Sequence, residues 1–110
     1  MNARVIGDLA ELYPVGTMIE KVVADTATAV VTTAQVQAAK DGGARYALVQ
    51  AQGGSMTYTL DGATTAVATG PGFIMVADAA PILLKVDTLA KLKGIRDTGT
   101  STDLQIQFMG

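Results

Sequence analysis

The stretch Arg45 to Val76 reads RYALVQAQGGSMTYTLDGATTAVATGPGFIMV, and it constrains the fold more than any other part of the chain. Segments with strand-like side-chain alternation follow one another there, separated by turn signals at close spacing. Tyr46, Leu48 and Gln50 alternate with Ala47, Val49 and Ala51, and Gln52-Gly53-Gly54 then suits a hairpin into the next strand. Met56, Tyr58 and Leu60 alternate with Ser55, Thr57 and Thr59, a two-residue period that puts one row on a core and the other towards solvent. Asp61-Gly62 closes that strand and predicts a tight hairpin turn, because Gly has no Cβ to clash at positive φ and Asp bonds its own backbone. Beyond the small, Thr-rich residues 63–69, Gly70-Pro71-Gly72 forces another reversal. Residues 72–77 (GFIMVA) then read as a continuously apolar strand, buried on both faces.

The flanking segments read as strands added to this unit. Residues 19–24 (IEKVVA) alternate without fixing which face is inward, and residues 28–39 (TAVVTTAQVQAA) are rich enough in β-branched side chains to predict one long strand or two joined by a bulge. The Ala and Gln of their second half also suit a helical turn. Lys40-Asp41-Gly42-Gly43 is a turn cluster. Pro81 cannot donate a ladder bond and belongs at a strand start, after which Ile82, Leu84 and Val86 alternate with Leu83, Lys85 and Asp87. Residues 88–93 (TLAKLK) predict one helical turn capped by Thr88 and ended by Gly94, with Leu89 and Leu92 inward. Residues 95–99 enter a last turn, and Leu104, Ile106 and Phe108 form the inward row of a C-terminal strand with Gln105 and Gln107 outward. The pattern predicts an all-β fold: a single compact antiparallel β-sandwich, jelly-roll-like, of seven or eight short strands over residues 17–110.

Residues 1–16 form a separate N-terminal segment. Val5, Ile6, Leu9 and Leu12 fit a short helical stripe with Asp8 as cap and Pro14 as terminator. A stripe that short needs something to pack on, either its own sandwich or a neighbouring subunit. With Tyr13, these residues are the candidate assembly interface.

The 110 residues make one domain, and they include no His and no Cys. That removes imidazole bases, thiolate nucleophiles, disulfides and the usual zinc and haem ligands, so neither an enzyme nor a metal or cofactor site is expected. Gly53-Gly54-Ser55-Met56 runs into a strand and is not followed by the Lys and helix of a phosphate loop, and no serine sits in a nucleophile elbow. Asp61, Asp78, Asp87, Asp97 and Asp103 stand in turn contexts without calcium-loop spacing. A net charge of −2 and few aromatics disfavour nucleic acid, and the basic group Lys85, Lys91, Lys93 and Arg96 reads as a solvated rim, with contact to an acidic partner surface as the alternative. Among the methionines, Met18, Met56 and Met75 read as core filling and Met109 as a surface candidate. Residues 1–16 carry Arg4, Asp8 and Glu11 and lack the uninterrupted apolar core of a secretory signal, so a chain made and kept inside the cell is expected. The mean hydropathy of +0.34 is high for a small domain, yet no run of apolar residues is long enough to span a membrane. Part of the apolar surface is therefore expected to be covered by other subunits.

One further pattern lies in the order of the turn and core residues. Tyr58-Thr59-Leu60-Asp61-Gly62-Ala63-Thr64-Thr65 is followed by Gly70, by apolar Ile74 to Val76, by Leu89, Leu92, Ile95 and Arg96, and by the ending TGTSTDLQIQF. This order, over residues 45–110, resembles the small structural proteins of tailed bacteriophages. The family commonly has a Pro shortly after the hairpin Gly, whereas Ala63 to Val67 contains none, and residues 1–44 have no counterpart in the pattern. The resemblance implies a non-enzymatic virion protein, made in the bacterial host cytoplasm, that decorates or cements the head lattice as a small homo-oligomer. Its partner would be the major capsid protein or another virion protein. The alternatives are a tail, collar or fibre component and, from another class, a small ligand- or carbohydrate-binding β-sandwich. The last would expose aromatics, whereas Tyr13, Tyr46, Tyr58, Phe73 and Phe108 are few and mostly fall in core rows.

Overall fold

The C-terminal strand β8 (Thr102–Met109) sits inside a sheet, bonded on both sides. In the computed structural model, which describes residues 12–64, 70–97 and 99–110, it pairs antiparallel with β1 (Ile19–Val23) and with β3 (Tyr46–Gln52). Leu104, Ile106 and Phe108 point inward and are almost fully buried, as their alternation predicts. Opposite them on β3 stand Ala51, Val49 and Ala47, so small side chains leave room for Leu104 and Phe108 where the two strands face the core together. Strand β6 (Ile82–Lys85) completes the first sheet in the order β1-β8-β3-β6, with Pro81 immediately ahead of it.

The second sheet holds β2 (Thr28–Ala29), β4 (Met56–Thr59), β5 (Phe73–Met75) and β7 (Lys93–Arg96) in the order β2-β7-β4-β5. All pairs are antiparallel, and they nest: β4 with β5, β3 with β6, β2 with β7 and β1 with β8. Both sheets contribute to one hydrophobic cluster, in which Val23, Val49, Met56, Leu104 and Ile106 are joined by Leu89 and Leu92. Among the described residues there are thus two four-stranded antiparallel sheets and two short helices.

Expectations change in three regions. Residues 33–39 are not strand: helix α1 runs Thr33–Asp41, because a capping box holds its start and a glycine motif its end. Thr32 Oγ1 accepts from the Gln35 N–H at 3.1 Å while Gln35 Oε1 accepts from the Thr32 N–H at 2.9 Å. At the other end the Ala44 N–H bonds the Ala39 carbonyl and the Gly43 N–H bonds that of Lys40, with Gly43 at φ +97°, a Schellman arrangement. The Ala, Gln and Lys between these caps favour helix, and Val36 and Ala39 form its buried face.

Second, β3 and β4 do not form a hairpin; the chain leaves one sheet and enters the other. The corner is clamped by the start of β8. Thr102 Oγ1 donates to the Gly54 carbonyl at 2.9 Å, and a Cβ on Gly54 would lie 2.7 Å from the Thr100 carbonyl oxygen. Asp61-Gly62 likewise is a turn, with Gly62 at φ +74°, but not a two-residue hairpin, since β5 begins only at Phe73. Nor does the threonine row face solvent. Thr57 and Thr59 are buried, their hydroxyls bonded to the Asp97 carboxylate and the Thr64 carbonyl.

Third, helix α2 runs Val86–Lys91, two residues earlier than predicted, with Lys85 rather than Thr88 at its N-cap. Leu89 and Leu92 are buried as expected. Gly94 does not end this helix. It lies inside β7, where the Met56 methyl occupies the space a side chain would take. Ile95 and Arg96 therefore belong to a strand and not to the last turn.

Two glycines separate conformational from steric demand. A Cβ on Gly62 would meet nothing nearer than Lys91 Cγ at 3.4 Å, so Gly62→Ala carries only the left-handed backbone cost of about 1–2 kcal/mol. At Gly72, φ is +134° and a Cβ would lie 2.7 Å from the Tyr58 carbonyl oxygen, so Gly72→Ala is expected to cost about 3 kcal/mol or more. Urea unfolding of the two variants checks this. Equal losses would mean that the chain does not cross β4 at close contact.

Candidate assembly surfaces

Strand β5 is the edge of the second sheet, and its side chains do not behave as the apolar run GFIMVA predicts. Phe73 and Ile74 are each 63% exposed and Val76 is 59% exposed; only Met75 is buried. Neighbours in a strand point to opposite faces, so both faces of this edge present apolar surface. The Phe73 ring rests against Tyr58 with centroids 5.9 Å apart. The expectation of burial on both faces fails because β5 has β4 on one side and, among the described residues, no strand on the other. Gly70-Pro71-Gly72 just upstream was the readable signal, since Pro within sheets is confined to edges and strand starts.

The outer face of the first sheet is the second apolar surface. Pro14, Met18, Leu48, Pro81 and Met109 line a shallow depression of about 270 Å³ with Gln50, Gln105 and Gln107. Gln105 and Gln107 face outward as predicted. Gln107 Nε2 donates to the Phe108 carbonyl at 3.1 Å and the Gly16 carbonyl at 3.3 Å, and Gln50 Nε2 to that of Ala79 at 2.7 Å. The methionine assignment reverses: Met109 is buried, whereas Met18 is exposed.

Of the residues expected to form the assembly interface, Val5, Ile6 and Leu9 lie outside the described residues. Leu12 is half-buried and Tyr13 exposed. The backbone of Tyr13 is nevertheless tied to the end of β8: the Gly110 N–H donates to the Tyr13 carbonyl at 2.8 Å and the Val15 N–H to that of Phe108 at 2.8 Å. Pro14 stands opposite Met109 in an antiparallel bridge, and Gly16 at φ +72° takes up the extra length before β1. Phe73, Ile74, Val76 and Met18 were missed as surface residues, because alternation identifies a strand but not whether a second layer covers it.

Charge is sparse on these surfaces. Lys85 is on β6, Lys91 on α2, and Lys93 and Arg96 on β7, so the basic residues are divided among three elements. Lys40 on α1 and Asp87 on α2 form an ion pair that holds the Asp87 carboxyl below its usual range. Asp87 and Asp103 thus lie in a helix and a strand, not in turns; Asp61 and Asp78 do make turns. Asp61 gathers three donors: the Thr64 hydroxyl at 2.5 Å, the Thr64 N–H at 2.7 Å and the Ala63 N–H at 2.9 Å. Among the described residues no group of three or more carboxylates is placed to hold a metal ion, and no helix is long and apolar enough to cross a membrane. Compared with known proteins, the chain matches no family model, no curated protein and no solved structure.

The Asp61 turn gives a titratable signature. The Thr64 hydroxyl, with the Thr64 and Ala63 N–H groups, bonds the charged form and pulls the carboxyl from 3.8 to about 2. A depressed folded-state value contributes stability that is present above about pH 4 and is lost as pH falls through about 2. Carboxyl-carbon NMR titration should give Asp61 the low midpoint, and Thr64→Val, which removes the hydroxyl donor, should raise it. An unchanged midpoint in Thr64→Val would contradict the hydrogen-bond origin.

Proposed function

We propose that the chain is a non-enzymatic structural protein of a tailed-bacteriophage virion, a decoration or cement protein that binds the head lattice as a small homo-oligomer. It is made in the host cytoplasm and resides in the particle, on the major capsid protein or another virion protein. The observation that carries this reading is the strand order, β1-β8-β3-β6 beside β2-β7-β4-β5 with every strand paired to its nested partner. That order supports a jelly-roll sandwich, an architecture used by viral capsid and lectin domains. Its two exposed apolar surfaces, one along β5 and one on the outer face of the first sheet, are the kind that partner subunits cover. The residue pattern from Tyr58 to Phe108 points the same way.

A carbohydrate-binding module is the less favoured reading. The exposed Phe73 ring shares a depression with Thr59, Asp61 and Thr64, but these polar groups are bonded within the fold, Thr59 to the Thr64 carbonyl and Asp61 to Ala63 and Thr64, rather than left to bond a sugar's hydroxyl groups. A tail or fibre location would keep the same surfaces and change only the partner.

Mass spectrometry of purified virions of the phage that encodes the chain tests the reading. The chain is expected at high copy number. Particles made without it should lose DNA at a lower temperature and recover on addition of the purified protein. Virions that lack the chain and are unaffected by its deletion would overturn the proposal.

A further inference from the structure

Among the described residues the two sheets have four edges, and three of these carry features that disfavour pairing with another copy of themselves. Strand β1 bears Glu20 and Lys21, β6 follows Pro81 and ends in Lys85, and β2 is only two residues long. Charges, prolines and shortness are the usual means by which edges are kept from joining. The run Phe73-Ile74-Met75-Val76 has no charge and no proline. In a twofold interface a residue near the axis meets its own copy, so an edge charge would face a like charge. Strand β5 has no charged residue from Phe73 to Val76, so it can meet itself without that repulsion.

The backbone directions agree. The Ala77 N–H donates to Ser55 Oγ, at the start of β4, at 2.9 Å. Backbone groups alternate in direction along a strand, so those of Phe73 and Met75 face β4 and those of Ile74 face away. Ile74 thus offers one donor and one acceptor outward, as an antiparallel pair exchanging both bonds across a twofold axis requires.

We propose that two copies of this chain join β5 to β5 antiparallel, with Ile74 on the twofold axis, to make one continuous eight-stranded sheet. This specifies the homo-oligomer in the proposed function and rests on that element alone, not on location in a virion. Phe73 of each copy then lies opposite Met75 of the other, a sulfur–aromatic contact of a favourable kind. Val76 comes to lie opposite Gly72 of the other copy, which offers no side chain to clash.

Sedimentation velocity of the full chain and two pairs of variants test this. Wild type should dimerise. Ile74→Lys places like charges across the axis and should weaken the dimer about a hundredfold or more, whereas Met18→Lys, on the other apolar surface, should not. Circular dichroism checks that both variants fold. The native chain has no Cys, so Ile74→Cys supplies an independent readout. Directly opposed residues in such a pair have Cα atoms about 5.5 Å apart, a span that a disulfide bridges. Mild oxidation should convert Ile74→Cys to a covalent dimer and leave Met18→Cys largely monomeric. A monomeric wild type, an Ile74→Lys variant that dimerises normally, or equal cross-linking of the two cysteine variants overturns the proposal. If wild type is monomeric and Ile74→Lys instead loses its retention on virions, the edge accepts a strand from a different protein and self-pairing is wrong. Sedimentation and cross-linking do not depend on virion composition, so the dimer and the virion assignment fail separately.

Discussion

The first sheet depends on β8 lying between β1 and β3. Ile106 stands opposite Ile19 on one side and Val49 on the other, so a single buried residue joins segments from both ends and the middle of the chain. The same strand reaches further at both its ends. At its start Thr102 bonds the corner where the chain changes sheets, and at its finish Met109 pairs with Pro14. Truncating Ile106 would therefore leave a cavity between three strands at once, where relaxation of the surroundings is most restricted.

The structure has little buried chemistry and much exposed apolar area. Its buried hydroxyls on Thr57, Thr59 and Thr102 each have a partner, so they hold corners and loops in place. Ser55, the serine after the glycine pair, accepts a backbone N–H with its hydroxyl. Polar groups are thus committed to the fold, while Met18, Phe73, Ile74 and Val76 are left on the outside.

Much of this was legible in the sequence wherever a periodicity reported directly on burial. The row Leu104, Ile106 and Phe108, the place of Pro81 and the inward Leu89 and Leu92 all follow from spacing and backbone chemistry. Residues 33–39 were misread because β-branched residues before Thr32 outweighed the Ala and Gln that follow it; the Thr32/Gln35 box was the decisive local signal. The β3–β4 corner was beyond such reading, since Gly53-Gly54 marks a reversal without saying whether the next strand joins the same sheet. Strand β5 was misjudged for a related reason: apolar composition is common to a central strand and to an edge awaiting a partner. The resemblance to phage structural proteins implied a class of partner but no surface, and the exposed apolar edge at β5 became visible only with the sheet order.

Nested pairing also sets the cost of closing the chain. Strand β1 meets β8 across almost the whole sequence, a contact that would be slow to form if each pair had to be closed from an open coil. Once β4 has met β5, however, β3 and β6 are already brought near each other by a finished hairpin, and each outer pair then has only short connections left to close. Loop entropy rises with the logarithm of length, so a sequence of small closures replaces one large one. The order of strands that buries the core therefore also offers the chain a stepwise route into it, from the middle outward.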